Sequence, residues 1–123
     1  MDKVKIIAPC NNIEDYYQIF DVFVFPSIYE GLGIVLIEAQ CSGLRTYTSK
    51  ENIPQDVKVT EKLQFLSLKY DNAKMWAEKI LYDDKSKYDR CGDLTSIKNY
   101  GYDINTEVKV LENYYINIVK LEG

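Results

Sequence analysis

The chain has 123 residues, of which 46% are hydrophobic and 28% charged, a composition typical of one globular domain rather than a disordered segment. Its formal net charge is −4 at pH 7, which argues against nucleic acid as a partner because phosphate binding normally needs a basic face. It contains no histidine, which excludes Ser-His-Asp triads, Cys-His dyads and most zinc sites.

Strand-like and helix-like segments alternate from the beginning of the chain, a pattern typical of an α/β domain with a parallel sheet. Val4 to Pro9 is predicted to form a first short strand. Asn12 can cap a helix, since apolar residues follow it at helical spacing over residues 13–20. The Val-Phe-Val-Phe run at 22–25, closed by Pro26, suits a strand that is buried on both faces.

The middle of the chain predicts a second helix and two further strands. A strongly apolar helix is expected from Ile34 to Ser42 and is ended by Gly43 at the C′ position. Strands are predicted over Leu44 to Thr48 and Leu63 to Leu68. The loop between these strands has room for one helical turn.

The last third of the chain is predicted to be helical. Asn72 caps a helix whose apolar residues between Ala73 and Leu81 form one stripe. A short helix is expected around Lys85 to Arg90, and a second one before Gly101. The final helix begins near Asp103, and the spacing of its apolar residues predicts that it packs one narrow face. Those residues are Ile104, Val108, Leu111, Tyr115 and Ile118.

These elements predict a single α/β domain over residues 1–123, with a parallel sheet of about four strands and flanking helices. The three cysteines, Cys10, Cys41 and Cys91, are too few and too widely spaced for a disulfide framework or a CxxC metal pair. Cys41 is expected to pack as a small hydrophobe. No secretory leader is recognisable and the apolar runs are too short to span a membrane, so a cytoplasmic location is expected.

The stretch from Phe25 to Ala39 combines a strand end, a glycine-containing loop and a helix N-terminus. In open parallel sheets, ligands bind at the carboxyl ends of strands, where loops lead into helices. The first helical turn leaves backbone N–H groups unpaired and carries positive potential. Gly31 and Gly33 would let a phosphate approach that backbone without meeting a Cβ atom. An anion site made of main-chain amides is therefore predicted at Gly31, Leu32, Gly33, Ile34 and Val35.

Two carboxylates, Glu30 and Glu38, flank these amides. A carboxylate beside a phosphate site would accept hydrogen bonds from hydroxyls, such as those of ribose or a hexose. Amides for a diphosphate and carboxylates for sugar hydroxyls together predict a nucleotide-sugar site. The structural alternatives are an exposed loop acid at Glu30, a lysine-paired surface acid at Glu38, and two ordinary turn glycines.

The same residues resemble the donor-site motif of family-4 retaining glycosyltransferases of the GT-B fold, in which two glutamates are separated by seven residues. Within that family, the chain resembles the branch that is found in bacterial capsular and exopolysaccharide gene clusters. The motif is carried here by Asp21-Val22-Phe23-Val24, Pro26-Ser27, Glu30-Gly31 and Glu38-Ala39. The resemblance continues through Asn52-Ile53-Pro54, Val57-Lys58-Val59-Thr60, Phe65-Leu66-Ser67-Leu68, 76–81 and Gly101-Tyr102-Asp103-Ile104.

This resemblance implies a partial Rossmann-like fold, the C-terminal donor-binding domain of a GT-B enzyme. It implies transfer of a sugar from a nucleotide-diphosphate donor, with retention and without a metal cofactor, to a polysaccharide or glycolipid precursor. Glu30 would then act at the donor sugar as the catalytic residue, and Glu38 would bind the ribose hydroxyls. The amides from Gly31 to Val35 would hold the diphosphate.

The chain also departs from the family pattern. Arg45 stands where the family usually has proline, and the acceptor domain and the first two strands of the donor domain have no counterpart here. We expect a missing N-terminal half, a separate subunit or a second copy to supply those parts, and any membrane contact to be made by them. Without the Arg and Lys of those strands, the isolated chain is expected to be inactive.

The missing strands have a consequence for the fold, because in the family's strand order one of them separates Val4–Pro9 from Val22–Phe25. The sequence therefore predicts that Val4–Pro9 pairs beside Val22–Phe25, or that two chains associate to cover the edge. A non-catalytic nucleotide-binding or protein-interaction module remains the alternative function. A phosphoacceptor receiver domain fits poorly, because Cys10-Asn11-Asn12 follows the first strand in place of an acidic cluster.

Overall fold

A computed structural model describes residues 3–70, 72–83 and 89–121 of the chain. Its centre is a parallel sheet of three strands in the order β1-β2-β3. The strands are β1 (Val22–Phe25), β2 (Arg45–Ser49) and β3 (Leu63–Leu66). Every residue of the central strand β2 is buried, as expected for a parallel sheet covered on its faces. The predicted α/β class with a parallel sheet and flanking helices is confirmed.

Five α-helices and one 3₁₀ turn lie in the described part of the chain. They are α1 (Ile13–Ile19), α2 (Ile34–Cys41), the 3₁₀ turn Gln55–Val57, α3 (Ala73–Tyr82), α4 (Leu94–Asn99) and α5 (Ile104–Leu121). The helix expected around Lys85 to Arg90 falls mostly on residues 84–88, which lie outside the described residues, and Asp89 and Arg90 are not helical.

Of the two predicted helix caps, Asn72 is confirmed and Asn12 is not. The side chain of Asn72 accepts a hydrogen bond of 3.1 Å from the Met75 backbone N–H, which confirms it as the cap of α3. Asn12 precedes α1 but makes no capping bond, and its amide donates instead to Asp15. The expected capping role of Asn12 is therefore wrong, since the amide group faces an acceptor rather than the helix N–H groups.

The main core lies between α2, the 3₁₀ turn and the sheet. Leu36 and Ile37 of α2 pack there with Val57, Val59 and Leu63, all of them buried. The thiol-bearing side chain of Cys41 packs against the same cluster, as predicted. This packing anchors α2 against the sheet and fixes where its N-terminus lies relative to the strand ends.

Gly43 ends α2 in the left-handed conformation, with φ of 76°. Its N–H donates to the carbonyl of Gln40, and the next N–H, of Leu44, donates to Ala39. A Cβ atom added at Gly43 would lie 2.5 Å from the carbonyl oxygen of Arg90. The predicted C′ glycine is confirmed. Both the left-handed backbone conformation and the close approach of the Arg90 carbonyl require glycine at this position.

Gly43→Ala should lower the free energy of unfolding by about 2 kcal/mol, since a left-handed non-glycine residue alone costs about 1–2 kcal/mol and the contact with Arg90 adds to it. Urea unfolding followed by circular dichroism measures the change. Gly31→Ala is the matched control, because a Cβ atom there meets nothing within 4 Å. Equal stabilities for the two variants would contradict the role assigned to Gly43.

The strand predicted over Val4 to Pro9 does not form, so the sheet has three strands in the described residues rather than about four. The segment is exposed, with Ile6 at 94% of its full accessibility. A strand needs a neighbour to take up its backbone hydrogen bonds, and none lies beside this segment. The expectation that it pairs with β1 is wrong, and in the described part of the chain β1 has no strand on its other side.

The final helix, α5, forms with the predicted periodicity, but it contains no buried residue. Val108, Leu111 and Tyr115 are each more than half exposed. The sequence correctly predicts an amphipathic helix and wrongly predicts that its apolar face packs within this chain. We call the exposed residues 104, 108, 111 and 115 the α5 stripe.

Candidate functional site

The loop at 26–33 connects the carboxyl end of β1 to the N-terminus of α2. The Ser49 hydroxyl, at the end of β2, donates to the carbonyl of Ser27. Asn52, with φ of 57°, adds two long contacts: its carbonyl accepts from the Glu30 N–H and its side chain donates to the Ile28 carbonyl. The loop is therefore fastened to the end of the neighbouring strand, at the edge where parallel sheets bind ligands.

Glu30 is half-buried within this loop, and its orientation is set by Ser27. The Ser27 hydroxyl lies 2.8 Å from Oε1 of Glu30 and 3.0 Å from the carbonyl oxygen of Tyr29. A hydroxyl has one proton to donate, and an ionised carboxylate is the stronger acceptor of the two. Ser27 therefore fixes one oxygen of Glu30, and the other oxygen has no hydrogen-bond partner among the described residues.

The N-terminus of α2 is open. Gly33 occupies the N-cap position with φ of 69°, and no side chain caps the helix. The first hydrogen bond runs from the Leu36 N–H to the Gly33 carbonyl at 2.9 Å. Within the described ranges, the N–H groups of Ile34 and Val35 donate to no protein acceptor. Two donors are thus available at the end of the helix where its dipole favours an anion.

Glycine at position 31 keeps the approach to these amides clear, since a Cβ atom there would meet nothing within 4 Å. Gly31 and Leu32 are exposed, whereas Gly33 is buried against Leu36. The structure therefore brings Glu30, the loop glycines and the first turn of α2 into one continuous segment. The ligand contacts of these residues remain predictions.

Glu38 lies one helical turn beyond Ile34, about 6 Å further along the axis and on the same side of α2. Both residues are exposed. Oε2 of Glu38 accepts a hydrogen bond of 3.1 Å from the hydroxyl of Tyr17, not from a lysine. Burial, followed by the charge and hydrogen bond of Glu38, raises the pKa of Tyr17 to about 12.

The helical spacing of the apolar residues over 13–20 predicts a packed helix face and gives no sign of this hydroxyl contact of Tyr17. The ring does pack as expected, since Tyr17 is only 2% exposed and meets Phe23 edge-on with a centroid distance of 5.6 Å. The presence of tyrosine at a buried position could have indicated this contact, because a buried hydroxyl needs a polar partner.

The loops after β2 and β3 are joined by Glu51. Its carboxylate accepts hydrogen bonds from the Ser67 hydroxyl at 2.6 Å and from the Leu68 N–H at 2.9 Å. The bond from the Leu68 backbone, followed by that from Ser67, lowers the pKa of Glu51 to about 2. The loops that follow all three strands are therefore held together at the carboxyl edge of the sheet.

A carboxyl group with a lowered pKa in the folded state stabilises the fold above its unfolded pKa, near 4.5, and loses that contribution as the pH falls toward 2. The wild-type chain should therefore lose more stability than Glu51→Gln between pH 4.5 and 2. Urea unfolding at several pH values measures this difference. The exposed Glu112→Gln variant is the matched control for loss of one carboxyl group. If the stability of Glu51→Gln depended on pH as that of the wild type does, the stabilising role assigned to Glu51 would be contradicted.

Two further features, a metal cluster and a membrane-spanning helix, are absent from the described residues. Among them, no group of three or more Cys, Asp or Glu side chains is arranged to hold a metal ion. No helix in these ranges is both long enough and apolar enough to cross a bilayer.

Comparison with known proteins gives a consistent result. The family model for Glycosyl transferases group 1 matches residues 1–94. EpsF of Bacillus subtilis (strain 168), which is named as a glycosyltransferase, is 34% identical over 123 residues. That match covers 94% of this chain and 30% of EpsF, so the chain spans less than a third of its relative's length. No solved structure gives a significant match.

The matched region includes the whole of the candidate site, from the end of β1 through α2. Both the family model and the relative cover well over half of the chain. The chain therefore belongs to the Glycosyl transferases group 1 family.

Proposed function

We propose that this chain supplies the donor-binding part of a retaining family-4 glycosyltransferase of the GT-B fold. The reaction is transfer of a sugar from a nucleotide-diphosphate donor to a polysaccharide or glycolipid precursor. The observation that carries the proposal is the uncapped N-terminus of α2 behind Gly31, with the exposed Glu38 one turn further along the same side. Family membership supports the reaction class.

Each part of the site has a role in this proposal. The N–H groups from Gly31 to Val35 hold the diphosphate, since neutral amides at a helix end favour an anion without requiring a basic side chain. Glu38 accepts hydrogen bonds from the ribose hydroxyls. Glu30, held by Ser27, faces the donor sugar and acts there during transfer. We propose that no metal cofactor takes part, so a chelator should leave binding of the nucleoside diphosphate by this chain unchanged.

We propose that the remaining parts of the site come from outside this chain, which spans 30% of the length of EpsF. The free edge of β1 supports this proposal, because an unpaired parallel strand favours a further strand beside it. An open apolar cavity of about 380 Å³ lies between β1 and α3, lined by Val24, Pro26 and Trp76 among others. A missing N-terminal half, a separate subunit or a second copy would cover both.

We place the protein in the cytoplasm, where nucleotide sugars are available, and in capsular or exopolysaccharide synthesis. Membrane contact would be peripheral and made by the parts outside this chain. The α5 stripe favours one alternative, a protein-interaction module without catalysis, because an exposed apolar helix face is suited to a protein partner.

The test is titration of the ¹⁵N-labelled chain with uridine and guanosine diphosphates and with their glucose and mannose conjugates. The proposal expects saturable amide shifts confined to Gly31 through Val35 and the residues around Glu38. Gly31→Val should abolish these shifts with little change in stability, because the added side chain meets only the space that the phosphate would occupy. Absence of shifts with every probe would overturn the proposal and favour the interaction module.

A further inference from the structure

We infer that Tyr17 is a positioning residue whose hydroxyl orients the carboxylate of Glu38 toward the ribose hydroxyls of the donor. The inference rests on the proposed function and extends it to a residue on a different helix, 21 positions earlier in the chain.

In this contact the hydrogen-bond donor, the Tyr17 hydroxyl, is held in place by packing, whereas the acceptor, the Glu38 carboxylate, has no other hydrogen-bond partner among the described residues. The Tyr17 ring is buried and packs edge-on against Phe23 in β1. The Tyr17 backbone is also held, because the Arg90 guanidinium donates to the carbonyls of Tyr17 and Gln18 at 2.9 Å each. Glu38, by contrast, is exposed and forms no ion pair within the described ranges. The tyrosine therefore determines which rotamer the glutamate adopts.

The geometry leaves the carboxylate able to bind a ligand. The hydroxyl of Tyr17 occupies one lone pair of Oε2, so Oε1 is free to accept from one hydroxyl and Oε2 from another. A vicinal diol such as that of ribose requires this arrangement of two adjacent acceptors. Because the pKa of Tyr17 is raised, its hydroxyl stays protonated and can donate at any physiological pH.

The first experiment compares Tyr17→Phe with the matched control Tyr16→Phe on the neighbouring position of α1. Calorimetry measures binding of uridine or guanosine diphosphate and of the corresponding 2′,3′-dideoxy compound. Tyr17→Phe should weaken binding of the diphosphate about three- to tenfold, the loss expected when one hydrogen bond no longer fixes the acceptor. It should leave binding of the dideoxy compound unchanged, because that ligand lacks the hydroxyls that Glu38 accepts from.

A merely structural role for Tyr17 would weaken binding of both compounds to the same extent, and that result would overturn the inference. Equal binding by Tyr17→Phe and Tyr16→Phe, together with weakened binding by Glu38→Gln, would also overturn it while leaving the proposed function standing. Failure of the wild-type chain to bind any nucleotide would overturn the proposed function itself.

A second experiment tests the contact without a ligand. In chain labelled with ¹³Cζ-tyrosine, the Tyr17 resonance should titrate near pH 12 in the wild type. In Glu38→Gln it should titrate lower, because the charge is lost, yet remain above the ordinary value of 10.0, because burial is the largest cause of the shift. An unchanged Tyr17 titration in Glu38→Gln would overturn the inference whatever the binding results.

Discussion

Replacing Gln40 by leucine should lower the free energy of unfolding by about 3 kcal/mol or more, although leucine is a good helix former of similar size. Gln40 is 0% exposed and lies in α2, two residues after Glu38. Its amide donates to the carbonyls of Leu36 and Val57 at 2.9 and 2.7 Å. The side chain therefore connects the helix to the 3₁₀ turn.

The side-chain carbonyl oxygen of Gln40 accounts for the size of the expected loss of stability. Its Oε1 accepts from the backbone N–H groups of Val59 and Thr60 and from the Thr60 hydroxyl, at 3.0–3.2 Å. Leucine would remove all five bonds, leaving the Thr60 N–H without an acceptor and the Val59 N–H with only the Val57 carbonyl at 3.1 Å. Each buried unsatisfied group costs about 1–3 kcal/mol, and each lost hydrogen bond about 0.5–1.5 kcal/mol. Since small domains have only about 5–15 kcal/mol of stability in total, the loss would be a large fraction of it.

Urea unfolding measures the effect, and Gln55→Leu is the matched control, because Gln55 is exposed on the 3₁₀ turn. That control should change the stability by less than about 0.5 kcal/mol. A loss below 1 kcal/mol for Gln40→Leu would show that residues 57–60 hold their position without the glutamine. In that case, the attachment of α2 would depend on the apolar core alone.

Gln40 also illustrates what the sequence could not predict. The strand at 22–25 and the helix at 34–41 were predictable because a β-branched run and an apolar run are local signals. Apart from Leu36, the partners of Gln40 lie 17–20 residues further along the chain, and Glu38 is 21 residues from Tyr17. No periodicity within one helix reveals such contacts, so the long-range bonds of Gln40 and Glu38 emerged only from the structure.

The two failed predictions about packing have a common physical cause. Val4–Pro9 has the composition of a strand, and α5 has the periodicity of a packed helix, so both local assignments were reasonable. Pairing and packing, however, require a neighbour, and the described residues provide none for either segment. Sequence pattern predicts which face of an element is apolar, whereas the identity of the covering surface depends on other parts of the molecule.

The isolated chain should transfer sugar no faster than its Glu38→Ala variant, with either uridine- or guanosine-linked donors. Departure of the nucleoside diphosphate places negative charge on its leaving oxygen, and stabilising that charge is commonly the largest catalytic contribution. Around the loop at 26–33, the groups available for this are neutral amides, flanked by the carboxylates of Glu30 and Glu38. Neither glutamate is in an ion pair in the part of the chain that the structure describes.

Loss of one preorganised donor in other enzymes lowers the rate about 10²–10³-fold, and loss of the cations expected from the absent strands should cost at least as much. Radiolabelled donor with a mixture of lipid-linked acceptors measures the rate, and nucleotide binding in the same sample shows that the chain is folded. Binding without transfer is the expected outcome, since the chain then holds the donor but lacks the charge needed to release the diphosphate. Transfer well above the Glu38→Ala rate would instead mean that amides and two carboxylates are sufficient, and the cationic contribution assigned to the absent strands would be wrong.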